Sequence, residues 1–569
     1  MESLEYLGSE IEFRGRRIGL GGPEPKLKSG EVVKRKTQSL CPECYRLLPA
    51  IVFERDGKIW IRRMCPEHGE LEELYWGDSA LYERVMRLEA PDSKIKITYR
   101  GLDNPCPFSC GLCPIHVTQT CLANVVVTNR CDLSCWYCFF YSEKAGYVYE
   151  PSLEKYREMM KTLAKQHPIG ARAIQLTGGE PLLRDDLVDL VKITREAGID
   201  HVQLNTNGLR FLYDENGVEL SRRLREAGVN TVYLSFDGVS PEVNFKNHWE
   251  IPYIFENFRK SGMTSVVLVP TVINGWNTHE LGSIVKFAAL NMDIVRGVNF
   301  QPVSLVGMMP KSEREKYRVT IPEVIKLLEE QTNGQIDRNS WYPVPTAYII
   351  SSFIEAFSRR EQWHMKIHPA CGMATYVYVD RKGDEVNFIP ITEMIDIDGF
   401  LEYLKESADK LEEGGNRYIA GIKLLLKLRK YIRRDKLPKD FNPIKIIFNA
   451  FVKHNYRALA EFHYKFLYLG MMHFMDLYNY DVQRVMRCGV HYVTPELEVV
   501  PFCTFNVLSD LYRDLSQKNN SISLEDYAEK FGRNKIGEHI KYKRDKKKLE
   551  SGEIYKKTYL PIINPNKFK

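Results

Sequence analysis

The chain has 569 residues and a mass of 66.1 kDa, and its 44% hydrophobic and 27% charged residues are typical of a globular protein with about three or four domains. A formal net charge of +6 is too small to identify a class of partner. No stretch approaches the roughly 20 uninterrupted apolar residues of a membrane span, and the charged first residues lack the apolar core of a secretory signal. These features predict a cytoplasmic protein.

The 13 cysteines predict metal sites. Their number is odd, the start of the chain carries no export signal, and several of them are closely spaced, as in the segments CPEC and CDLSCWYC. Disulfides are the alternative, but these features favour metal ligation.

The first group of ligands consists of Cys41 and Cys44, followed about 20 residues later by Cys65 and His68. Such pairs of knuckles suit tetrahedral zinc or a rubredoxin-type mononuclear iron. Three cysteines and one histidine favour zinc, whereas a fourth sulfur from elsewhere would favour iron and leave His68 as a solvated surface residue. We predict a knuckle-like N-terminal domain over residues 1–100.

A Pro- and Gly-rich loop at 101–123 carries the next four cysteines: Cys106, Cys110, Cys113 and Cys121. Four thiolates are enough to complete a 4Fe–4S cluster, which we favour here over zinc. The loop directly precedes the next cysteine group, so we expect an auxiliary cluster that relays electrons.

Residues 124–305 alternate between strand and helix patterns. Apolar, strand-like runs occupy 124–129, 173–179, 201–208, 231–238, 265–272 and 296–303, and helical patterns occupy 152–166, 185–197, 217–227, 252–262 and 278–290. This alternation predicts β-α-β units with a parallel sheet. Six units are too few for a closed eight-stranded barrel, so we predict an α/β fold with an open, partial (β/α)6 TIM-like barrel. Its functional residues should follow the carboxyl ends of the strands.

The first of these strands is followed by Cys131, Cys135 and Cys138, with the spacing C-x3-C-x2-C. Three thiolates in one loop hold a 4Fe–4S cluster but leave one iron without a protein ligand. A small molecule that chelates this iron through an amine and a carboxylate would place its sulfonium beside the cluster, where one electron can split a C–S bond. The segment resembles the signature of the radical S-adenosylmethionine (SAM) superfamily.

This resemblance covers about 125–305 and implies where SAM binds. Tyr137 matches the aromatic residue that lines the adenine, and 178–181 matches the GGEP motif that contacts the methionyl amino group. Polar residues after later strands match further SAM contacts, while Gln301 matches an adenosyl or substrate contact less closely. The implied cofactor-binding residues are Tyr137, Gly178, Gly179, Glu180, Pro181, Asn205, Asn207, Ser235, Asp237 and Gln301. No acid or base residue is implied, because the cofactors carry the radical chemistry.

The last part of the chain, 306–569, contains two similar half-motifs, 371–390 and 488–503. Each begins with Cys-Gly and continues as a strand, a turn and a strand, which resembles a diverged SPASM or twitch extension of radical SAM enzymes. Cys371, Cys488 and Cys503 would give a second auxiliary cluster that lacks a fourth thiolate. We expect either a histidine, such as His368 or His491, or the substrate in that position; buried inert cysteines are the alternative.

Residues 417–439 form a basic amphipathic pattern, with Tyr418, Ile422, Leu425, Leu428 and Ile432 at helical spacing. We favour a helix on an anionic membrane surface, and a core helix with a solvated basic face or a nucleic-acid patch are the alternatives. Residues 444–480 are rich in aromatic residues and methionine, and would suit either the walls of an alkyl-chain tunnel or an ordinary core.

The whole arrangement resembles archaeal tetraether lipid synthases. That resemblance implies that a 5′-deoxyadenosyl radical takes hydrogen from a terminal methyl group and that two phytanyl chains of archaeal diether lipids are joined by a C–C bond. It also implies an isoprenoid lipid substrate, peripheral membrane association, a low-potential electron donor such as ferredoxin or flavodoxin, and no nucleic-acid partner. Besides two auxiliary clusters, we expect one mononuclear iron or zinc.

Three alternatives remain open from the sequence. The same group includes radical SAM methyltransferases that act on methanopterin precursors, and the SPASM-like region also suits a peptide modifier. The third alternative, a zinc-binding module without catalytic activity that recognises nucleic acid, is opposed by the GGEP motif and the partial barrel.

Overall fold

The computed structural model describes residues 9–139, 142–214, 216–439, 441–443, 462, 464–537 and 542–563. Its strands are β1 (Glu10–Phe13), β2 (Arg16–Gly19), β3 (Val32–Leu40), β4 (Leu47–Arg55), β5 (Lys58–Cys65), β6 (Gly69–Trp76), β7 (Leu122–Thr128), β8 (Tyr147–Tyr149), β9 (Ala173–Gly178), β10 (His201–Thr206), β11 (Val229–Ser235), β12 (Val266–Val269), β13 (Thr271–Val272), β14 (Val295–Pro302), β15 (Tyr342–Pro343), β16 (Gly372–Lys382), β17 (Glu385–Pro390), β18 (Phe466–Met472), β19 (Val490–Val493), β20 (Val499–Pro501) and β21 (Ser521–Ser523).

The described α-helices are α1 (Ser79–Met86), α2 (Ser142–Ala145), α3 (Leu153–Ala164), α4 (Leu187–Glu196), α5 (Arg210–Tyr213), α6 (Gly217–Ala227), α7 (Ile251–Ser261), α8 (Leu281–Leu290), α9 (Arg314–Tyr317), α10 (Ile321–Gln331), α11 (Thr346–Ser358), α12 (Ile391–Met394), α13 (Ile397–Glu412), α14 (Arg417–Tyr431), α15 (Val482–Met486), α16 (Phe502–Val507), α17 (Arg513–Asn519), α18 (Leu524–Phe531), α19 (Lys546–Ser551) and α20 (Glu553–Ile563). Across the described ranges, none of these helices combines the length and the apolar character that crossing a membrane requires.

Strands β3 to β6 form an antiparallel four-stranded sheet in chain order. The β3–β4 and β5–β6 hairpins both turn at the same end of this sheet. Cys41 and Cys44 lie in the first turn, and Cys65 and His68 at the second. Because neighbouring hairpins share this end, the meander itself brings the two predicted knuckles together.

The central sheet contains the predicted partial barrel. Strands β7, β9, β10, β11, β12 and β14 pair in parallel in this order, so the six predicted units are confirmed. The C-terminal region then extends the sheet at both edges: β19 pairs in parallel with β7, and β18 with β14. The sequence did not predict these two added strands.

The two faces of the barrel strands differ in polarity. Ile174, Leu176, Val202 and Leu204 are fully buried in a core that also contains residues of the surrounding helices. Residues between them, such as Gln175 and Asn205, are polar and only partly buried, and they belong to the opposite, concave face. Because successive side chains of a strand point to opposite faces, the barrel has an apolar exterior under its helices and a polar interior.

The two C-terminal half-motifs form the predicted hairpins, since β16 pairs with β17 and β19 with β20, both antiparallel. Within the described part of the aromatic stretch 444–480, residues 466–472 form strand β18. Its side chains are core residues: Phe466, Leu467, Leu469 and Met471 are buried. Phe448, Phe451 and Tyr456 lie outside the described residues.

The basic segment forms helix α14, but its faces differ from the prediction. Leu424, Leu428 and Tyr431 are buried, whereas Tyr418 and Ile422 are exposed by 70% and 60%. Helix α14 packs on α13 through the buried side. The predicted contact with an anionic membrane surface stays a prediction.

Candidate functional site

The loop after β7 carries Cys131, Cys135 and Cys138, and the N–H of Cys138 donates a hydrogen bond to the carbonyl oxygen of Cys135 (3.1 Å). The three thiols lie close enough to interact electrostatically. Burial, followed by Asp132 and the two other thiols, raises the pKa of Cys131, and burial raises the pKa of Cys135 to about 12. The three thiols therefore oppose each other's ionisation in the buried loop. The cationic iron–sulfur core of a cluster would stabilise their thiolate forms, so the loop suits a cluster.

Gly178 and Gly179 hold this loop in place. A Cβ on Gly178 would lie 1.9 Å from Thr128 O, and a Cβ on Gly179 would lie 2.1 Å from Arg130 O. The close approach lets the N–H groups of Gly179 and Glu180 donate to these same two carbonyls, at 2.8 and 2.7 Å. The glycines of the GGEP motif therefore fix the backbone directly before Cys131.

Glu180 and Asp132 form a buried acidic pocket beside Cys131. Glu180 accepts hydrogen bonds from the Thr206 hydroxyl (2.7 Å) and the Asn207 N–H (2.8 Å), and Asn207 Nδ2 donates to Asp132 Oδ1 (2.7 Å). Burial raises the pKa of both carboxyl groups, and their proximity raises that of Glu180 further. A positively charged group would reverse both effects, and SAM carries two: an ammonium and a sulfonium.

Asp132 was not among the predicted site residues, although it directly follows Cys131. Its second oxygen accepts a hydrogen bond from the hydroxyl of Tyr542 (2.6 Å), whose ring stacks on Tyr213. Gly537 packs as closely on the same loop, because a Cβ there would lie 1.8 Å from Cys131 O. The C-terminal segment thus covers the cysteine loop, which local sequence patterns do not reveal.

A second buried group lies on the other side of the loop. The hydroxyl of Tyr137 donates to Asp237 Oδ2, and Lys246 Nζ lies 2.8 Å from the same oxygen. Burial alone would lower the pKa of Lys246, but Asp237 and then Cys135 raise it. The Lys246 ammonium is thus a buried positive charge that interacts with the cysteine loop, and the sequence analysis missed it.

The other predicted SAM residues lie at the barrel interior or its rim. Asn205 Nδ2 donates to Thr177 Oγ1 (3.2 Å) on the neighbouring strand, Ser235 ends β11, and Gln301 pairs with Thr271. Pro181 begins a buried 3-10 turn behind the GGEP loop. Their contacts with SAM stay a prediction.

Deeper in the barrel, three amide side chains form a row. Asn124 on β7 is in register with Gln175 on β9, and Gln175 with Gln203 on β10. The buried oxygens Asn124 Oδ1 and Gln203 Oε1 have no hydrogen-bond partner among the described residues. Unpaired buried acceptors suit a ligand with N–H groups and oppose an alkyl chain.

The N-terminal knuckles form one compact site. The ligand atoms of Cys41, Cys44, Cys65 and His68 all lie within 4.8 Å of one another. The Cys44–Cys65 Sγ distance is 3.9 Å, and Nδ1 of His68 lies 3.4 Å from the Sγ of both Cys41 and Cys65. A zinc tetrahedron with bonds of about 2.3 Å to sulfur and about 2.0 Å to nitrogen has S–S and S–N edges of about 3.8 and 3.5 Å. The predicted four residues therefore fit zinc, and no sulfur from elsewhere is needed.

The predicted four-cysteine loop does not stay together. The thiol of Cys110, followed by burial, raises the pKa of Cys106, and burial followed by Cys110 raises the pKa of Cys113. Cys121 instead lies at the start of β7, where its N–H donates to Gly489 O (2.8 Å) beside Cys488. The parallel pairing of β7 with β19 removes Cys121 from the loop, which its spacing in the sequence does not reveal.

The three C-terminal cysteines lie close enough to interact electrostatically, and their shared cluster stays a prediction. Burial raises the pKa of Cys503 most, and the thiols of Cys488 and Cys371 raise it further. Of the two suggested histidines, His491 uses both ring nitrogens, toward Thr120 (2.9 Å) and His116 (3.2 Å). Nδ1 of His368 accepts a hydrogen bond from the Ala370 N–H (3.1 Å), its Nε2 has no hydrogen-bond partner among the described residues, and burial followed by Arg35 lowers its pKa.

Comparison with known proteins identifies the family. Residues 125–288 match the model of the radical SAM superfamily, and 33–77 match that of the HMPTM N-terminal zinc ribbon domain. A 7,8-dihydro-6-hydroxymethylpterin dimethyltransferase of Methanocaldococcus jannaschii is 45% identical over 87% of this chain and 97% of its own length. The chain belongs to the radical SAM superfamily and to the family of this dimethyltransferase.

Other similarities are confined to part of the chain. A probable GTP 3′,8-cyclase of the same organism is 27% identical over 38% of this chain and 68% of its own length. Among solved structures, a maturase of the FeFe-hydrogenase matches 38% of this chain and 50% of its own, with 14% identity and a TM-score of 0.28. Membership of the radical SAM family implies a 4Fe–4S cluster and SAM as cofactors.

The predicted lipid-coupling activity is wrong. The relative that matches this chain over 97% of its own length is named for a pterin, and not for a phytanyl lipid. The structure gives the physical reason, since part of the aromatic stretch that suggested an alkyl tunnel is strand β18 and ordinary core, while the barrel interior carries amides.

Proposed function

We propose that this protein is a radical SAM methyltransferase whose substrate is a reduced pterin. The observation that carries the proposal is the 45% identity with the dihydro-hydroxymethylpterin dimethyltransferase over 97% of that enzyme's length. The same function was the first alternative that the sequence left open. This function does not require that the protein contacts a membrane surface.

The barrel interior supports a pterin on chemical grounds. A pterin is a flat heterocycle whose ring nitrogens and exocyclic amino group are hydrogen-bond donors or acceptors. The row of Asn124, Gln175 and Gln203 offers amides in register, and Asn124 Oδ1 and Gln203 Oε1 are buried acceptors without a hydrogen-bond partner in the part of the chain that the structure describes. We assign the pterin to this inner face, below the cysteine loop.

We assign SAM to the rim of the barrel. When bound, the cluster and SAM supply the radical chemistry. Glu180 and Asp132 would hold the positively charged methionyl end, since Glu180 is buried, Asp132 is half-buried, and their two carboxylates are mutually unfavourable without a cation. Tyr137 would line the adenine, held in place by Asp237, to which its hydroxyl donates a hydrogen bond.

The test is anaerobic turnover of the reconstituted protein with SAM, a strong reductant and 7,8-dihydro-6-hydroxymethylpterin. We expect mass spectrometry to show a pterin that has gained one and then two CH2 units. A parallel reaction contains archaeal diether lipids instead of the pterin. Joined lipid chains that have lost two hydrogens, together with an unchanged pterin, would overturn the proposal. Cys131→Ala is the control, since it should abolish 5′-deoxyadenosine formation.

A further inference from the structure

Two cysteines meet at the edge where the C-terminal region joins the barrel. Cys121 directly precedes β7 and Cys488 precedes β19 by two residues, and these strands pair in parallel with Leu122 opposite Val490. The N–H groups of Cys121 and Leu122 both donate to Gly489 O, at 2.8 and 3.1 Å. A Cβ on Gly489 would lie 3.1 Å from Cys121 Sγ, so the thiol packs directly beside this glycine.

Two further cysteines are joined by the segment after β18. The N–H of His473 donates to Cys371 O (2.9 Å), and the N–H of Met475 donates to Cys503 Sγ (3.3 Å). Cys371 directly precedes β16, which pairs with β18, and Cys503 lies in α16 directly after the β19–β20 hairpin. The two half-motifs and the end of β18 therefore converge on one place.

We propose that Cys121, Cys371, Cys488 and Cys503 are the four thiolate ligands of one closed 4Fe–4S cluster, and that Cys121 is not a ligand in the loop of Cys106, Cys110 and Cys113. Helix α15 connects the two pairs of cysteines. Arg484 in this helix places its Nε 3.3 Å from Cys371 Sγ, and the N–H of Cys488 donates to Val485 O (3.0 Å) in the same helix.

A buried guanidinium supports an anionic cluster at this site. Arg484 is 2% exposed, its Nε lies 3.3 Å from Cys371 Sγ, and its Nη2 donates to His473 O (2.7 Å). Among the described residues, it forms no ion pair with a carboxylate. A buried cation needs an anion nearby, and the thiolates of a cluster provide one where neutral thiols would not.

The ligand set also explains how the two auxiliary sites are connected. Cys110 Sγ hydrogen-bonds Thr504 Oγ1 (3.5 Å), and Thr504 directly follows Cys503 in the chain. The hydroxyl of Tyr480 bonds the same Thr504 oxygen (3.0 Å). A cluster with four thiolates has no iron open to a substrate, so this site is suited to electron transfer next to the Cys106 loop.

The test separates the sites in the full-length, anaerobically reconstituted protein. One parent variant carries Cys106→Ala, Cys110→Ala and Cys113→Ala, and the other carries Cys371→Ala, Cys488→Ala and Cys503→Ala. Cys121→Ser is added to each, and EPR spectra of the reduced proteins are compared. We expect Cys121→Ser to change the spectrum of the first parent and to leave that of the second unchanged. The reverse pattern, or a change in neither parent, would overturn the proposal.

A second measurement uses the unaltered protein, in case a parent variant does not fold. An iron chelator is added stepwise under iodoacetamide, and the alkylation of each cysteine is followed by mass spectrometry. We expect Cys121 to become alkylated at the same chelator concentration as Cys488, with zinc retained as a sign that the fold persists. Alkylation of Cys121 together with Cys106, and apart from Cys488, would contradict the shared site. Neither measurement involves the substrate, so the outcome is independent of the proposed pterin activity.

Discussion

Lys246 Nζ lies 2.8 Å from Asp237 Oδ2, and both side chains are buried beside the loop of the radical SAM cysteines. Asp237 also accepts hydrogen bonds from the hydroxyl of Tyr137 and from the N–H of Thr271 (3.0 Å). Asp237 therefore connects the loop after β11 with Tyr137, the aromatic residue within the C-x3-C-x2-C segment, and Lys246 neutralises its charge.

Lys246→Met should destabilise the protein by about 3–5 kcal/mol, because it leaves the Asp237 carboxylate buried without its cation. Adding Asp237→Asn should restore part of the loss, since the double variant has no unpaired charge. Urea unfolding of the apo proteins measures both effects, and Lys161→Met on the exposed side of α3 is the control. A change below about 1 kcal/mol for Lys246→Met would show that the ion pair is unimportant.

Gly179→Ala should displace the radical SAM cysteine loop. A Cβ at this position would lie 2.1 Å from Arg130 O, and backbone atoms cannot move aside without shifting Cys131. We expect loss of about four irons per chain and of 5′-deoxyadenosine formation, with the zinc content unchanged. Gly421→Ala, in helix α14, is the matched control because, among the described residues, its Cβ would contact only the Phe357 ring at 3.3 Å. Normal iron content in Gly179→Ala would refute the steric argument.

Gly179 and Lys246 show what the sequence can and cannot predict. The GGEP motif is contiguous and follows a clear strand, so its position at the carboxyl end of β9 could be predicted from the sequence. Lys246 lies 9 residues after Asp237 in a segment without periodicity, and only the fold brings its ammonium to the cysteines. Local spacing also failed for Cys121, because strand pairing between β7 and β19 outweighs closeness in the chain.

The fold itself was predictable to a similar degree. The alternation of short apolar strand patterns, such as 201–208, with helical patterns predicted the six-stranded partial barrel. Strands β18 and β19 were not assigned to the barrel, because parallel pairing between distant segments has no local signal in the sequence. The same limit explains why a core strand within 444–480 suggested a lipid tunnel.

His68→Ala should remove one zinc per chain and leave the iron content unchanged. The residue is exposed, yet its Nδ1 lies 3.4 Å from two of the knuckle sulfurs, which is a ligand geometry. Metal analysis of the purified proteins gives the result, with His279→Ala, a histidine with a 67% exposed side chain, as the control. Full zinc occupancy in His68→Ala would mean that three cysteines suffice.

Glu31→Gln should reduce the stability of the protein in a pH-dependent way. Arg62 hydrogen-bonds Glu31 and lowers its pKa from 4.5 to about 2, so the folded state favours the carboxylate. The Glu31 carboxylate contributes about 3 kcal/mol to the free energy of unfolding. This contribution is fully present above pH 4.5 and is lost as the pH falls through 2. The difference in unfolding free energy between wild type and Glu31→Gln should therefore shrink between pH 5 and pH 2. A difference that stays constant over this range would contradict the assigned pKa.

Gln203→Leu should weaken the capture of the pterin without affecting the clusters. Gln203 Oε1 is a buried acceptor on the inner face of the barrel, in register with Gln175, and leucine has a similar volume without the oxygen. Losing one hydrogen bond of about 0.5–1.5 kcal/mol should raise KM for the pterin roughly 2- to 10-fold. Iron content and slow 5′-deoxyadenosine formation without substrate should match the wild type, as they should in the surface control Gln362→Leu. An unchanged KM would place the pterin elsewhere in the barrel, while a loss of iron would show that Gln203 supports the fold instead of the substrate.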